Sequence, residues 1–305
     1  MKPKAGSLKR KRSSLNSSQK RFLCFWTVPI FLLYLYICIL PVVQSVINSF
    51  TEWDGYSDKK WIGVNNYLSI IKDSVFHQSI INDILIVLFK ELIIVVLAIT
   101  FSIALTRIRL RKSEKLILRF LYYIPNILSV IVISMVWKFF FNLELFDGIL
   151  KLLHIGLTSQ NGWISDYPIQ IIIFVASWCG IGSFMIILIT AINNISAEIY
   201  EAAEIDGAGQ FRQLFSITIP AVLPQIRYVI VTILTSSLAV NMNLVLPFTN
   251  GGPGTRSMVM GLYVYKSAYT SYEVGYANAA AVLLMIISVT LASVVNITIS
   301  RKEDK

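Results

Sequence analysis

Six long apolar runs, separated by shorter polar segments, form the dominant pattern of the chain. Each run is long enough to cross roughly 30 Å of hydrocarbon as an α-helix. The runs lie at about 22–49, 80–106, 116–141, 168–192, 221–248 and 274–299. Pro29, Pro41 and Pro125 fall inside the first and third runs, where neighbouring groups can satisfy the carbonyls that a proline leaves free. The pattern predicts an all-α, polytopic membrane protein with six transmembrane helices.

The polar segment at 193–220 predicts a short helix, a glycine turn and a second helix. Ser196 can cap the first helix, with Glu198 near the positive end of the helix dipole. Gly207 and Gly209 are predicted to break it, because glycine enters a left-handed turn without steric cost. The first helix carries a small apolar face, made of Ile199, Ala202, Ala203 and Ile205.

The second helix of this segment has an apolar face of its own. Phe211, Leu214 and Phe215 follow the i, i+3, i+4 spacing, and Pro220 is predicted to end the helix. The segment is also acidic and therefore suits a basic partner. Its carboxylates are Glu198, Glu201, Glu204 and Asp206.

Composition supports the membrane prediction. Of the 305 residues, 55% are hydrophobic and only 14% are charged, with a mean hydropathy of +0.67. A soluble domain carries about a quarter charged residues. Cys24, Cys38 and Cys179 lie in apolar runs without a C-x-x-C pair, so they are interpreted as small core residues and not as a disulfide or metal site.

The distribution of Lys and Arg predicts the orientation of the chain in the membrane. It also explains the net charge of +10, so nucleic-acid binding is not needed to account for it. Residues 1–21 hold eight Lys or Arg and no acid, which is typical of a disordered tail close to anionic lipid. The apolar run after them is too long for a signal peptide. The tail, the loops at 107–115 and 193–220 and the C-terminus together hold 17 Lys or Arg, against six on the other side. The positive-inside rule therefore predicts cytoplasmic N- and C-termini.

The sequence lacks the groups that enzymatic chemistry needs. None of the 15 glycines precedes a lysine, so a phosphate-binding loop is absent. His77 and His154 lie far apart, without the spacing of metal ligands. The sequence predicts that the chain is not an enzyme, so that the energy for any active transport comes from a partner or transport is passive.

The segment at 193–220 resembles the cytoplasmic loop of ABC importer permeases. That family's pattern is Glu-Ala-Ala, three residues, Gly, nine residues, then Ile-x-Leu-Pro. This chain has Glu201-Ala202-Ala203, Gly207 and Ile217-x-Ile219-Pro220 at those offsets. Ile219 in place of leucine is the one departure, and it keeps the apolar character.

Segments outside the apolar runs resemble the carbohydrate branch of the same family, the maltose and glycerol-phosphate transporter type. The similar stretches are Ser-Phe-Thr-Glu-Trp at 49–53, Ile-Gly-Val-Asn-Asn-Tyr at 62–67, Asn-Gly-Gly-Pro at 250–253, Leu-Tyr-Val-Tyr at 262–265 and Gly-Tyr-Ala at 275–277. The resemblance implies a type I ABC importer permease fold, with a basic tail at 1–21, a transmembrane domain at 22–305 and a coupling loop at 193–220. It also implies a place in the bacterial cytoplasmic membrane.

The resemblance further implies an assembly around this chain. The expected partners are a second, related permease, two ATPase subunits and an extracytoplasmic sugar-binding protein. ATP and magnesium would bind the ATPases, which leaves no cofactor and no metal in this chain. In the family, the residue matching Glu201 forms an ion pair with the ATPase, the alanines allow close docking and the glycine makes the turn. The residues expected to couple to the ATPase are Glu201, Ala202, Ala203, Asp206, Gly207, Ile217 and Pro220.

Polar residues inside the runs are candidates for a substrate pathway. Ser237 and Asn241 lie at i, i+4 in the fifth run, close to Asn243. Ser177 and Gly180 lie at i, i+3 in the fourth run, next to Trp178. Small polar residues beside an aromatic ring suit a sugar, and they equally suit helix–helix packing.

Two questions stay open from the sequence. Lys90 and Glu91 lie inside the second run, and as adjacent residues they point in different directions, so they neutralise each other poorly. They must face the bundle, a cavity or a partner.

The main alternative function is a self-sufficient secondary carrier or channel, which would show inverted repeats or a charged relay. A membrane scaffold is a further alternative.

Overall fold

The computed structural model describes residues 16–107, 111–142 and 144–300. The basic stretch before Asn16, residues 108–110 of the 107–115 loop and the C-terminal Arg301, Lys302 and Lys305 lie outside these ranges. The chain divides into two compact units, Met1–Ile47 and Asn48–Lys305, whereas the sequence suggested one domain from residue 22. The described part of the first unit is helical from Ser17, four residues before the predicted end of the tail at residue 21.

The first unit consists of α1 (Ser17–Tyr34), a π-helical turn (Leu35–Ile39) and α2, which runs on to Asn48 (Leu40–Asn48). Pro29 lies inside α1 and Pro41 at the second position of α2. The π turn ends two residues before Pro41. A wider turn accommodates the missing N–H and the bulk of the proline ring, which clashes with the carbonyl four residues before it in a regular α-helix.

The second unit is helical apart from one short hairpin and its loops. The strands β1 (Thr51–Glu52) and β2 (Lys60–Trp61) pair antiparallel, with Thr51 opposite Trp61. The helices are α3 (Asn65–Lys72), α4 (Ser74–Arg107), α5 (Lys112–Ile127), α6 (Val130–Asn142), α7 (Glu144–Leu152), α8 (Trp163–Asp166), α9 (Pro168–Asn193), α10 (Ala197–Ile205), α11 (Gln210–Gln213), α12 (Ile219–Phe248), α13 (Met260–Tyr269) and α14 (Val274–Ser300), with a second π turn at Leu214–Thr218.

Within the described residues, five helical segments are long and apolar enough to cross a membrane, and a bent pair makes up to six. The single helix predicted at 116–141 is wrong: α5 and α6 meet at 103°. Pro125 removes a hydrogen bond from the last turn of α5. Leu128 is then extended, at φ −78° and ψ 145°, and the carbonyl of Ser129 starts α6 by accepting the N–H of Ile133 at 3.0 Å. The fifth candidate span covers Gln210–Leu234 and begins earlier than the predicted 221.

Small residues allow α9 to pack at the centre of the second unit. A Cβ on Gly182 would overlap the backbone carbonyl of Tyr122 on α5, and one on Gly180 would overlap the side chain of Ile94 on α4. Ser102 of α4 also donates a hydrogen bond to the carbonyl of Met185 on α9, at 3.1 Å. The contact between α5 and α9 is therefore made at backbone distance, as in other membrane helix pairs with small interface residues.

We expect Gly182→Ala to destabilise the protein by about 1–3 kcal/mol, because the added methyl group must push the backbone of α5 away from α9. Gly148→Ala on α7 is a matched control, since a Cβ there meets nothing within 4 Å. Thermal unfolding of both purified variants in the same detergent checks this. Equal melting temperatures for the two variants would contradict the packing described for α9.

The hairpin is held against the start of α14. The N–H of Gly275 donates to the carbonyl of Trp53 at 2.9 Å, and a Cβ at Gly275 would overlap the carbonyl of Thr51. Asn66 donates to the carbonyls of Ser49 and Thr51 at 2.9 and 3.0 Å. The segment from 49 to 66 is thus fixed at one end of the unit, which we call the hairpin end.

Candidate functional site

The segment at 193–220 lies at the opposite end of the unit, because the 30 residues of α12 separate it from the loop that follows Phe248. The predicted first helix is confirmed as α10, and the Ser196 side chain accepts the N–H of Glu198 at 3.3 Å. Gly207 has φ +75°, which confirms the left-handed turn. Gly209 has φ −64° and ψ 166° and precedes α11, so its predicted left-handed role is wrong.

Pro220 does not end the second helix, contrary to the prediction. The chain continues through the π turn at Leu214–Thr218 into α12, where Pro220 occupies the second position. A proline near the start of an α-helix forfeits no hydrogen bond that the helix needs. The π turn ends two residues before this proline, as it does before Pro41, and the same steric relief explains both.

Buried hydrogen bonds hold α10 against the π turn that leads into α12. The Tyr200 hydroxyl on α10 and the Thr218 hydroxyl lie 2.9 Å apart. The Gln213 side chain donates to the carbonyl of Ala208 at 2.9 Å, which closes the turn. Tyr200, Gln213 and Thr218 are all buried. The orientation of α10 relative to α12 is therefore fixed by side chains that sequence patterns did not single out.

The opposite surface of the segment is exposed and mixes apolar with acidic groups. Ile205 is 87% exposed, Phe211 80% and Phe215 64%. Glu201 and Asp206 are exposed beside them, and neither forms an ion pair with any residue that the structure describes. Of the other residues expected to couple, Ala202, Gly207 and Pro220 are exposed and Ala203 and Ile217 are half-buried. We call this surface the α10–α11 face.

A cavity of about 320 Å³ adjoins this face. It is bounded by Glu204 of α10, by Gln210 and Phe211 of α11 and by Ile103 near the end of α4. The α10–α11 face therefore combines a recess, free carboxylates and exposed aromatic rings. Large exposed apolar patches that include polar groups are typical of interaction surfaces.

A buried polar network joins α4, α12 and α13 at the other side of the membrane-spanning region. The Asp83 carboxylate on α4 accepts the side-chain N–H of Asn241 at 2.8 Å and the backbone N–H of Met260 at 2.7 Å. The Lys90 ammonium donates to Ser237 at 2.7 Å and to the Asn241 carbonyl oxygen at 3.3 Å. Asn241 therefore bridges a carboxylate and an ammonium, and the carboxylate holds the start of α13.

Asn82 strengthens the same junction. Its side chain donates to the carbonyls of Arg256 and Met258 at 2.9 and 2.8 Å, and it accepts from Gln78 at 2.9 Å. Asn82 and Asp83 were missed in the sequence, although a polar pair at the start of an otherwise apolar run was a signal. Buried polar groups inside a membrane span need partners, and these two residues find theirs in the loop before α13.

Glu91 forms no hydrogen bond with this network, which agrees with the prediction that Lys90 and Glu91 point in different directions. Both of its carboxylate oxygens are buried, and neither has a hydrogen-bond partner within the described chain. Lys90 and Glu91 form no ion pair with each other in the described structure.

The other candidate pathway residues are dispersed. Ser177 is buried and donates to the carbonyl of Ile173 in its own helix at 2.7 Å. Trp178 packs edge-on against Trp137, with ring centroids 5.4 Å apart. Gly180 contacts α4, and Asn243 is exposed on α12. The structure thus brings Ser237 and Asn241 together with Lys90, and a pathway role for all six residues stays a prediction.

Two tyrosines and a carboxylate form a second polar cluster at the hairpin end. The Tyr263 hydroxyl donates to Asp73 at 2.5 Å and lies 2.7 Å from the Tyr276 hydroxyl. Burial, and then the hydrogen bond to Asp73, raise the pKa of Tyr263. Tyr263 therefore remains a neutral donor, which ties α13 to the residue between α3 and α4.

The helical architecture and the candidate spans are those of a polytopic membrane protein. Residues 94–302 match the family described as the binding-protein-dependent transport system inner membrane component. Because this match covers more than half of the chain, the protein belongs to that family and is an inner-membrane protein. The family resemblance found in the sequence is thereby confirmed.

Individual relatives agree with this membership. The chain is 33% identical over 269 residues to the probable ABC transporter permease protein YurN of Bacillus subtilis (strain 168), covering 86% of this chain and 90% of the relative. It is 32% identical over 283 residues to the multiple sugar-binding transport system permease protein MsmF of Streptococcus mutans serotype c (strain ATCC 700610 / UA159), covering 91% and 94%.

The fold matches a solved transporter structure. A chain of a bacterial ABC transporter involved in the import of the acidic polysaccharide alginate superposes with a TM-score of 0.81. The superposition covers 94% of this chain and 98% of that one, at 19% sequence identity. At this identity the similarity shows a shared ABC importer permease fold.

Proposed function

We propose that the chain is the permease subunit of an ATP-driven ABC importer for a sugar or oligosaccharide. It forms half of the translocation pathway and couples to a cytoplasmic ATPase through the segment at 193–220. The α10–α11 face is the observation that supports this most directly. It presents Glu201 and Asp206 without ion-pair partners in the described chain, next to aromatic rings that a folded surface would otherwise bury.

The coupling is mechanical. Exposed Phe211 and Phe215 bury apolar area against the ATPase, while Glu201 pairs with one of its cations. Ala202 and Ala203 have small side chains, which allow the ATPase to approach the backbone of α10 closely. Tyr200 and Thr218 hold α10 against the start of α12, so movement of the docked ATPase is passed to a spanning helix.

The complete transporter requires several partners. Because the sequence has no phosphate-binding loop, two ATPase subunits bind the ATP and magnesium. A second, related permease supplies the other half of the pathway. A solved relative of the same fold is described in complex with an alginate pentasaccharide-bound periplasmic protein, and we infer an extracytoplasmic binding protein here as well. Both termini and the 193–220 segment are cytoplasmic under this proposal.

The relatives' names support a carbohydrate substrate. They include the multiple sugar-binding permease MsmF of Streptococcus mutans and a diacetylchitobiose uptake permease of Streptomyces coelicolor. Ser237 and Asn241 are the best placed residues for sugar hydroxyls, because Lys90 connects them on a face shared by α4 and α12. Their side chains exchange present hydrogen bonds for those of the sugar when the pathway opens.

A secondary carrier is the alternative that the buried charges favour. Asp83, Lys90 and Glu91 all lie on α4, inside one candidate span, as in a charged relay. Asp83, however, is bound to the backbone of Met260, and this contact gives it a structural role. A carrier also has no need for the α10–α11 face.

We expect the affinity-purified complex in lipid to contain an ATPase and a second multi-span protein. Its ATPase activity should rise several-fold when one sugar and its binding protein are added, because substrate delivery drives closure of the ATPase pair. A panel of mono-, di- and oligosaccharides identifies the substrate. A chain that purifies alone, without ATPase activity, would contradict the proposal and would direct attention to proton- or sodium-driven uptake.

A further inference from the structure

A polar recess of about 380 Å³ lies where α4, the start of α9 and the loop before α13 meet. Gln78 and Asn82 of α4 line it, together with Asp166, Gln170 and Arg256. The volume falls in the range of roughly 300–1,000 Å³ that is typical of small-molecule sites. Because most of these side chains carry hydrogen-bonding groups, the recess suits a polar ligand.

The framework of the recess is fixed by Asn82, which is only 1% exposed. Its side-chain N–H groups donate to the carbonyls of Arg256 and Met258 at 2.9 and 2.8 Å, so the loop before α13 is tied to α4. Its side-chain oxygen accepts the amide N–H of Gln78 at 2.9 Å. Gln78 is therefore held by a buried anchor, and the recess is formed before any ligand arrives.

Three side chains on this framework have polar atoms that the fold does not use. The amide oxygen of Gln78, the amide of Gln170 and the guanidinium of Arg256 form no hydrogen bond or ion pair with any residue that the structure describes. The guanidinium alone carries five N–H donors, and a glutamine amide offers both donors and an acceptor. These groups are available to a ligand in the recess.

Asp166 adds a charged acceptor. Hydrogen bonds from the side chain and then the backbone of Asn161 lower the pKa of Asp166 to about 2, so this carboxylate is ionised at neutral pH. Among the described residues, its Oδ1 accepts only the side-chain N–H of Asn161, at 3.0 Å, and can accept a further hydrogen bond. Asp166 and Arg256 both line the recess and form no ion pair with each other, so neither charge is consumed by the other.

This combination favours a neutral ligand that is rich in hydroxyl groups. A hydroxyl group both donates and accepts, so it can accept from Arg256 and donate to Asp166. An anion would be repelled by Asp166 and a cation by Arg256. Leu85 and Ile169 also line the recess, and they supply apolar surface for the C–H groups of a sugar ring.

The recess lies beside the buried polar network, on the side away from the 193–220 segment. Asn82 directly precedes Asp83, and Lys90 follows eight residues after Asn82 on α4, which is about 12 Å at 1.5 Å per residue. Lys90 is in turn bonded to Ser237 and Asn241. Under the proposed topology, a sugar entering from outside meets the recess first and the network second.

We propose that this recess is an outer receiving site of the permease, which binds one ring of a neutral sugar before the sugar reaches the buried network. Arg256 and Gln170 donate to the ring hydroxyls, and Asp166 and Gln78 accept from them. The inference rests on the proposed import of a carbohydrate. It adds a place where this chain holds the sugar before the spanning helices enclose it.

Saturation-transfer NMR on the full complex in lipid nanodiscs, without ATP or binding protein, detects weak sugar binding directly. The neutral probes are lactose, maltose, raffinose and diacetylchitobiose, and glucuronate is the charged probe. We expect a neutral probe to bind, and Arg256→Ala and Gln170→Ala each to raise its dissociation constant about three- to tenfold, because each variant loses a hydrogen bond. Thr255→Trp places a large ring at the lining of the recess and should abolish binding.

Gln160→Ala and Lys72→Ala are the matched controls. Gln160 is an exposed glutamine in the loop before α8, and Lys72 is an exposed cation at the end of α3. Neither lines the recess, so both variants should bind the probe like the wild type. Arg256, Gln170 and Thr255 are exposed as well, so their replacement should preserve folding, and unchanged melting temperatures check this.

Four results would overturn the receiving site. Neutral probes that fail to bind, or that bind the wild type and Thr255→Trp equally, do not occupy the recess. Binding of glucuronate alone, lost in Arg256→Ala, would make the recess an anion site. Unchanged sugar binding combined with weaker stimulation of the ATPase by the binding protein would make these residues part of a docking surface for that protein.

The proposed import function is tested separately by the ATPase assay on the wild-type complex. If a sugar stimulates the ATPase but the recess variants leave sugar binding unchanged, only the receiving site is refuted. If no sugar stimulates the ATPase, import itself is contradicted, whatever the NMR measurement shows.

Discussion

Glu201→Lys is expected to abolish sugar uptake while the protein still reaches the membrane. Glu201 is exposed on α10, and it has no ion-pair partner within the described chain. Surface substitutions away from partners usually change stability by less than about 0.5 kcal/mol, so folding should be unaffected. Loss of one member of an interfacial charge pair costs about 2–5 kcal/mol, which weakens docking of the ATPase at least about thirtyfold.

The measurement is sugar-stimulated ATPase activity of the reconstituted complex, alongside the amount of ATPase that co-purifies. Glu198→Lys is the matched control, because it makes the same charge change on the same helix, one turn earlier. Glu198 lies at the capped end of α10, so its replacement should cost only the dipole interaction, about 0.3–1 kcal/mol. Equal loss of activity in both variants would indicate a general charge effect, and normal uptake with Glu201→Lys would refute the coupling role.

Local rules were sufficient for the first helix of the 193–220 segment and for the turn at Gly207. The Ser196 cap and the left-handed Gly207 follow from a side-chain hydroxyl and a missing Cβ, and both are confirmed. Pro220 shows where such rules stop. A proline normally ends a helix in sequence analysis, yet the preceding π turn makes room for its ring. No local sequence pattern predicts the π turn at Leu214–Thr218.

The bend between α5 and α6 and the buried network could not be predicted for a different reason. The third run stays apolar on both sides of Leu128, so hydropathy does not show the bend. Asp83 and Asn241 are separated by 158 positions in the chain, and their contact depends on how α4 packs against α12. Lys90 and the pair Ser237 and Asn241 could be recognised in the sequence as polar residues inside apolar runs. Only the structure shows that Lys90 is hydrogen-bonded to the other two.

The α10–α11 face and the buried network therefore have different roles: the face suits docking of a partner, and the network holds helices together. The face is exposed, and its carboxylates Glu201 and Asp206 have no ion-pair partner among the described residues, as expected of a surface completed by another protein. The network is enclosed and nearly every donor in it has an acceptor, as expected of a junction that holds helices together. Substitutions in the first should impair coupling and spare stability, and substitutions in the second should do the reverse.

Asp83→Ala is accordingly expected to destabilise the protein by about 3–5 kcal/mol, because two buried donors lose a charged acceptor at about 1.5–3 kcal/mol each. The change deprives Asn241 and the N–H of Met260 of their acceptor, and it removes the carboxylate that Asn241 links to the Lys90 ammonium. A lowering of the melting temperature by roughly 10 °C in detergent would correspond to this loss. Asn243→Ala, at an exposed position of α12, should leave the melting temperature nearly unchanged.

A double-mutant cycle measures the coupling between Asp83 and Lys90, which Asn241 links. Asp83→Asn keeps one carbonyl oxygen for Met260 and removes the negative charge, while Lys90→Met removes the positive charge and keeps the length of the side chain. Each single variant removes one of the two charged groups that Asn241 links. If the two groups stabilise each other, the double variant should be more stable than the sum of the two losses predicts, by about 1–3 kcal/mol. Strict additivity would show that Asp83 and Lys90 act independently, and the network would then be two separate sets of hydrogen bonds.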